Sequence, residues 1–114
     1  MPNQVPDRQH AVVDLRKITH YLLDLDHPIG SGKAKFFLGH GFDMSVPTEM
    51  ETALLKHVLD RVIIKTEENH FGTKYVVSCN IITPDGTNPC IRSVWIVEAA
   101  NPIPRLVTAI PDGD

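Results

Sequence analysis

The chain has 114 residues, 42% hydrophobic and 22% charged, a balance that folds instead of staying disordered, and a chain this long buries roughly two-thirds of its unfolded surface without metals or disulfides. Eleven Lys and Arg against fourteen Asp and Glu give a formal net charge of -3, which excludes a broad basic coat for nucleic acid but leaves room for a local basic pocket. No apolar run approaches the roughly 18 residues of a membrane span and no signal-peptide pattern opens the chain, so a cytoplasmic protein without membrane contact is expected.

Residues 1–12 are polar, carry Pro2 and Pro6, and are expected to be a flexible N-terminal arm. A single α+β domain is expected over 13–111, with 112–114 a flexible tail. Asp14 caps a short helix whose apolar face is Leu15, Ile18, Leu22 and Leu25, stopped by Pro28 and Gly30. A second helix starts at Ser31, turns Ala34, Phe37 and Leu38 inward, and ends at Gly41. A third starts after Ser45, with Pro47 in the first turn, Glu49 at the positive helix end, and Met50, Ala53, Leu54, Leu55 and Val58 as its buried stripe.

After Asp60 the period changes from helix to strand. Residues 62–66 are mostly β-branched. From Thr73 to Ile82 the chain alternates, with Thr73, Tyr75, Val77, Cys79 and Ile81 on one side and Lys74, Val76, Ser78 and Asn80 on the other. Thr83-Pro84-Asp85-Gly86 is a turn, and Cys90–Glu98 answers with Ile91, Ser93, Trp95 and Val97 opposite Arg92, Val94 and Ile96. Asn101-Pro102 turns the chain again, and Leu106–Ile110 is the last strand. Short turns between strands predict a three- to four-stranded antiparallel meander, and helices ahead of it predict an α+β fold with the helices packed on one face. The two cysteines, Cys79 and Cys90, flank the turn and can face each other across a hairpin; the favoured reading is two small buried hydrophobes in a reducing cytoplasm.

Gly30-Ser31-Gly32-Lys33 looks like a nucleotide loop but fails the Walker pattern, which needs Gly at His27 and Ser or Thr at Ala34. A glycine-bearing turn opening a helix still offers backbone N–H groups to an anion, so Gly30, Ser31, Gly32, Lys33 and Lys35 are candidate phosphate-binding residues. The alternative is an ordinary helix start with solvated lysines. Six histidines are scattered without ligand spacing, so neither a metal nor a cofactor is expected. His20 and His57 read as amphipathic helix residues. His27, in a sharp turn beside Asp26, reads either as an acid–base group or as a turn cap. Lys74, Arg92 and Arg105 fall on separate strand segments, and Lys74 with Arg92 can form a basic patch for a phosphate near Ser78, Ser93 or Thr108.

Several longer stretches carry a resemblance: Lys17-Ile18-Thr19-His20-Tyr21-Leu22-Leu23, Asp26-His27-Pro28-Ile29-Gly30, Lys33-Ala34-Lys35-Phe36-Phe37, Gly72-Thr73-Lys74-Tyr75-Val76-Val77, Thr83-Pro84-Asp85-Gly86, Ile91–Val97 and Pro104–Ala109. With these the chain resembles a family of small, largely uncharacterised bacterial domains. More distantly it is similar to the barnase–EndoU–colicin–RelE toxin ribonucleases, metal-independent enzymes that use His, Lys, Arg, Tyr or Thr side chains to cleave RNA. It departs from them in Ser93 where Thr is common, in Ile110 where an aromatic is common, and in its negative charge.

The resemblance implies a ribonuclease-like toxin component that cleaves RNA by 2′-hydroxyl attack. His27 would be the acid–base group, with Lys33, Lys74 and Arg92 holding phosphate and Thr108 orienting it. That reading requires His27, Lys74 and Arg92 to converge. The alternatives are a non-catalytic partner, such as an antitoxin-like or accessory protein encoded beside a toxin, and a binder of a phosphate-containing ligand.

Overall fold

The computed structural model describes residues 3–112. Helix α1 (Leu15–Lys17) opens where the Asp14 carboxylate accepts from the Arg16 N–H at 3.0 Å, and it runs on as a single π-turn (Ile18–Leu22). The Leu23 N–H closes that turn on the Ile18 carbonyl at 2.9 Å, a five-residue step in place of the usual four. Helix α2 (Ser31–Gly39) ends as the sequence predicts, on Gly41 at φ 101°. The Phe42 N–H reaches the Phe37 carbonyl, the Gly41 N–H reaches that of Leu38, and the Phe37 and Phe42 rings pack 6.2 Å apart, which satisfies the orphan carbonyls of the last turn. Helix α3 (Pro47–Asp60) starts with Pro47, whose missing N–H would have had no helical partner, and Glu49 complements its positive end.

Strands β1 (Val62–Asn69), β2 (Gly72–Asn80), β3 (Cys90–Glu98) and β4 (Asn101–Pro111) form an antiparallel sheet in the order β1-β2-β3-β4. The architecture is the expected α+β one, helices first and meander second. Tyr75 lies opposite Trp95 and Val77 opposite Ser93. This register turns Val77, Ile91, Ser93 and Trp95 to the buried face, where they meet Ile18, Leu22, Phe37, Met50, Leu54 and Val58 from the helices. On β4 the register shifts between Val94 and Trp95, leaving Val107 without a partner. Leu106 and Ala109 are therefore both buried although three residues apart, and Val107 and Thr108 sit half-exposed between them.

The structure revises several expectations. Residues 3–12, expected as a flexible arm, are packed down: Val5 is fully buried and Ala11 buried. Asn3 exchanges hydrogen bonds with Ile63, and Val12 donates to the Pro104 carbonyl and accepts from Leu106. Polarity misled here, because backbone pairing with the sheet needs no apolar side chains. Met1 and Pro2, and Gly113 and Asp114 of the expected tail, lie outside the described residues, while Asp112 is tied to Arg92 and Ser78. The π-turn rotates the first helical face, so Leu23 is buried while Leu15 and Leu25 are exposed. Strand β1 runs on to Asn69 and β4 begins at Asn101, both longer than their apolar runs because edge strands carry polar residues freely.

Cys79 and Cys90, favoured as free thiols, form a disulfide across the β2–β3 hairpin with Cα atoms 4.3 Å apart. His57, read as an amphipathic residue, is buried, with its Nδ1 2.8 Å from Ser93 Oγ and its Nε2 2.8 Å from the Cys79 carbonyl. No helix among the described residues is long and apolar enough to cross a membrane.

Candidate functional site

An open cleft of about 630 Å³ lies between α1 with its π-turn, the loop before α2, and the irregular stretch of β4. Lys17, His20 and Tyr21 form its helical wall, His27 stands on the loop side, and Val107 and Thr108 come from β4. The π-turn widens the helix just where His20 and Tyr21 leave it, and the bulge brings Thr108 to meet Tyr21.

Tyr21 is the centre of the arrangement. Its hydroxyl lies 3.0 Å from Thr108 Oγ1 and accepts a hydrogen bond from the Lys33 ammonium. Lys33 Nζ and Lys17 Nζ also lie 4.7 Å and 5.8 Å from the ring centroid, within cation–π range. Gly30 packs under the ring: a Cβ there would come within 2.8 Å of Tyr21 Cδ1 and 2.9 Å of the Tyr21 carbonyl oxygen. Partial burial pushes the Tyr21 phenol pKa up, but the Lys33 and Thr108 hydrogen bonds and the positive charges of Lys33 and Lys17 outweigh it, so the net shift is downward.

His27 packs its ring edge on Tyr21, with centroids 4.9 Å apart. Its Nδ1 accepts from the backbone N–H of Ile29 at 3.1 Å and of Gly30 at 2.9 Å. An atom that accepts two N–H bonds carries no hydrogen, so the ring is a neutral imidazole with its proton on Nε2. It holds the turn and also presents one fixed donor. At the cleft's outer margin the Arg16 guanidinium grips Asp14 through two contacts of 3.2 Å and 2.9 Å. The Arg16 hydrogen bonds lower the Asp14 pKa to about 2. Asp14 therefore spends its charge on Arg16, and the ammonium groups of Lys17 and Lys33 give the Tyr21 cluster its positive character.

Of the residues singled out from the sequence, His27, Lys33 and Thr108 come together around Tyr21. Lys74 and Arg92 do not join them. Both project from the sheet face turned away from the helices: Lys74 stands opposite Glu67, and Arg92 Nε is 3.1 Å from the Asp112 carboxylate. Neither lines the cleft, although Arg92 lies only two residues along β3 from Val94, the partner of Thr108. The helix-start anion site is also largely committed: the Gly30 N–H goes to His27 Nδ1, the Ser31 N–H to the His27 carbonyl, and Lys33 to Tyr21. Gly32 and Lys35 are exposed beyond it.

Sequence reasoning passed over Tyr21, Lys17 and His20 as site residues. Their signal was the four-residue spacing of Lys17 and Tyr21, which places a cation beside a phenol on one helical turn. Among the described residues no group of three His, Cys, Asp or Glu side chains is placed to hold a metal ion.

No curated protein matches the chain. Among solved structures, a chain of the "Contact-dependent growth inhibition toxin - immunity protein complex from Klebsiella pneumoniae 342" is similar, with a TM-score of 0.66 over 95% of this chain and 98% of that one. At 17% identity the likeness is one of fold. The model of a family described as "Domain of unknown function (DUF6883)" matches residues 4–113. Nearly the whole length is covered, and the chain belongs to that family.

Proposed function

We propose that the cleft binds an RNA phosphodiester and cleaves it without a metal, as the toxin of a toxin–immunity system. The observation that carries this reading is the Tyr21 cluster: a phenol with a lowered pKa, the Lys17 ammonium, a hydroxyl and an imidazole N–H line one solvent-open cleft, and the Lys33 ammonium donates to the phenol from beside it. These are groups that stabilise a charged phosphorane and protonate a departing alkoxide. The likeness in fold to a chain from a toxin–immunity complex supports a place in such a system and is shared equally by the catalytic and the partner readings.

In the proposed reaction a base removes the 2′-hydroxyl proton, the 2′-oxygen bonds to phosphorus, and the bond from phosphorus to the 5′-oxygen breaks. Tyr21 gives its phenolic proton to that 5′-oxygen. The phenolate left behind is stabilised by the Lys33 ammonium and the Thr108 hydroxyl. Lys17 offsets the charge on the phosphoryl oxygens, and His27 donates its Nε2–H to one of them. His27 thus acts as a fixed donor and not as the proton-transfer group suggested by its place in the turn. The products are a 2′,3′-cyclic phosphate and a 5′-hydroxyl end.

The test is cleavage of cellular and synthetic RNA by the purified protein, with product ends assigned by mass spectrometry. Tyr21→Phe, which removes the proton and keeps the ring, is expected to slow cleavage by about 100-fold or more. A wild-type protein that leaves RNA intact and does not arrest growth when expressed removes the reading. A second reading, a non-catalytic partner of a basic toxin, is favoured by the net charge of -3. It predicts a stoichiometric, salt-sensitive complex and no RNA cleavage.

A further inference from the structure

The hydrogen-bond pattern around the cleft's two histidines points to opposite tautomers. Thr19 has one hydroxyl hydrogen, and it is donated to the Leu15 carbonyl at 3.3 Å, one helical turn back. The same oxygen lies 2.9 Å from His20 Nδ1. With its hydrogen on the Leu15 carbonyl, Thr19 Oγ1 accepts there, an arrangement that puts the His20 proton on Nδ1 and leaves Nε2 a free lone pair. His27 is the reverse: backbone donors occupy Nδ1, and Nε2 carries the proton. Both rings line the same cleft, and His20 is exposed to it.

We propose that His20 is the base of the reaction, its Nε2 lone pair taking the 2′-hydroxyl proton while His27 serves as a neutral hydrogen-bond donor. This rests on the RNA-cleaving reading and supplies the group which that reading left open. The 2′-oxygen to phosphorus bond forms as the proton moves to His20 Nε2, giving an imidazolium. The bond to the 5′-oxygen breaks as Tyr21 releases its proton, giving a phenolate. One proton is taken up and one delivered, so the enzyme ends each turnover with no change in total charge, and water returns the Tyr21 proton from His20. The other titratable groups lining the cleft are Asp14, Arg16, Lys17, Tyr21 and His27, with Asp14 held by Arg16. An unpaired carboxylate is therefore absent from the described lining of the cleft, and the imidazole is the basic group in it.

Two measurements test the assignment. Two-bond ¹H–¹⁵N spectra of the histidine-labelled full chain at neutral pH should show His20 protonated on Nδ1 and His27 on Nε2. An Nε2-protonated His20 overturns the proposal whatever the activity. In single-turnover cleavage of a short RNA, His20→Asn keeps a donor for Thr19 and loses the basic nitrogen. It should cut about 100- to 10,000-fold more slowly, while binding of the 2′-O-methyl form of that RNA stays unchanged. If His20→Asn cuts at the wild-type rate while Tyr21→Phe is impaired, the base is another group and the cleft reading stands. If the wild-type protein cuts no RNA, the cleft reading fails and takes this proposal with it.

Discussion

Ser93 is one hydroxyl serving two buried rings. The Cys79 carbonyl can only accept, so His57 Nε2 must carry the proton, and Nδ1 accepts from the Ser93 hydroxyl. The Ser93 oxygen in turn accepts from Trp95 Nε1 at 2.8 Å, and every polar atom of the group is satisfied. Ser93→Ala removes the partner of two buried groups at once and should cost about 1–3 kcal/mol for each group left unpaired, read from the denaturant midpoint at constant slope. Burial holds the His57 pKa below its ordinary 6.5. In the unfolded chain the ring takes a proton as pH drops below 6.5, while the folded form does not. Stability is therefore full above that pH and declines below it until the folded pKa is reached. Chemical denaturation at a series of pH values should show this decline, and His57→Phe should flatten it. The sequence showed His57 at stripe spacing with Met50, Ala53, Leu54 and Val58 but not that Ser93 would receive it, because that pairing joins residues 36 apart.

At the scale of elements, caps and turns were the most legible parts. Asp14, Pro47, Gly41 and the Thr83–Gly86 turn each act through local backbone geometry that their side chains dictate. The strand alternation was readable for the same reason. Irregularities were not: nothing local in Ile18–Leu22 or Val107–Thr108 announces an extra residue in the turn or a bulge. Both arise from packing against the rest of the molecule, and both build the cleft. That is why His27, Lys33 and Thr108 stood out in the sequence one by one while Tyr21, the side chain around which they meet, did not. The β2–β3 hairpin shows a second kind of coupling. Its turn is held at the end of α2 by His40, whose Nδ1 lies 2.7 Å from Thr87 Oγ1 and 3.2 Å from Asp85 Oδ2, and by Pro84 over Gly41. The disulfide closes the same segment over a separation of 11 residues. Replacing both cysteines by serine should cost about 2–3 kcal/mol by releasing that loop in the unfolded chain, measured as a drop in thermal midpoint. A double variant as stable as the wild type would show that the docked turn alone holds the hairpin.

Seen whole, the chain is bound at its beginning to both margins of its sheet. Asn3 pairs with Ile63 on β1, Gln4 and Arg8 reach the Leu59 carbonyl at the end of α3, and Val12 bridges to Arg105 on β4. Without this strap both outer strands would offer more free N–H and C=O groups to another copy. Deletion of residues 1–12 should therefore lower stability and promote self-association, seen as rising light scattering with concentration; a deletion variant that scatters no more than the full chain would assign the strap to stability alone. No composition argument could have revealed the strap, since its ordering depends on partners more than fifty residues away. The path also separates two ends of the molecule: Asn3 sits beside β1, whereas the Tyr21 cleft opens at β4, across the full width of the four-stranded sheet. A bulky cargo, carrier or fluorescent reporter joined ahead of Asn3 would leave from the far side and keep the mouth of the Tyr21 cleft unobstructed.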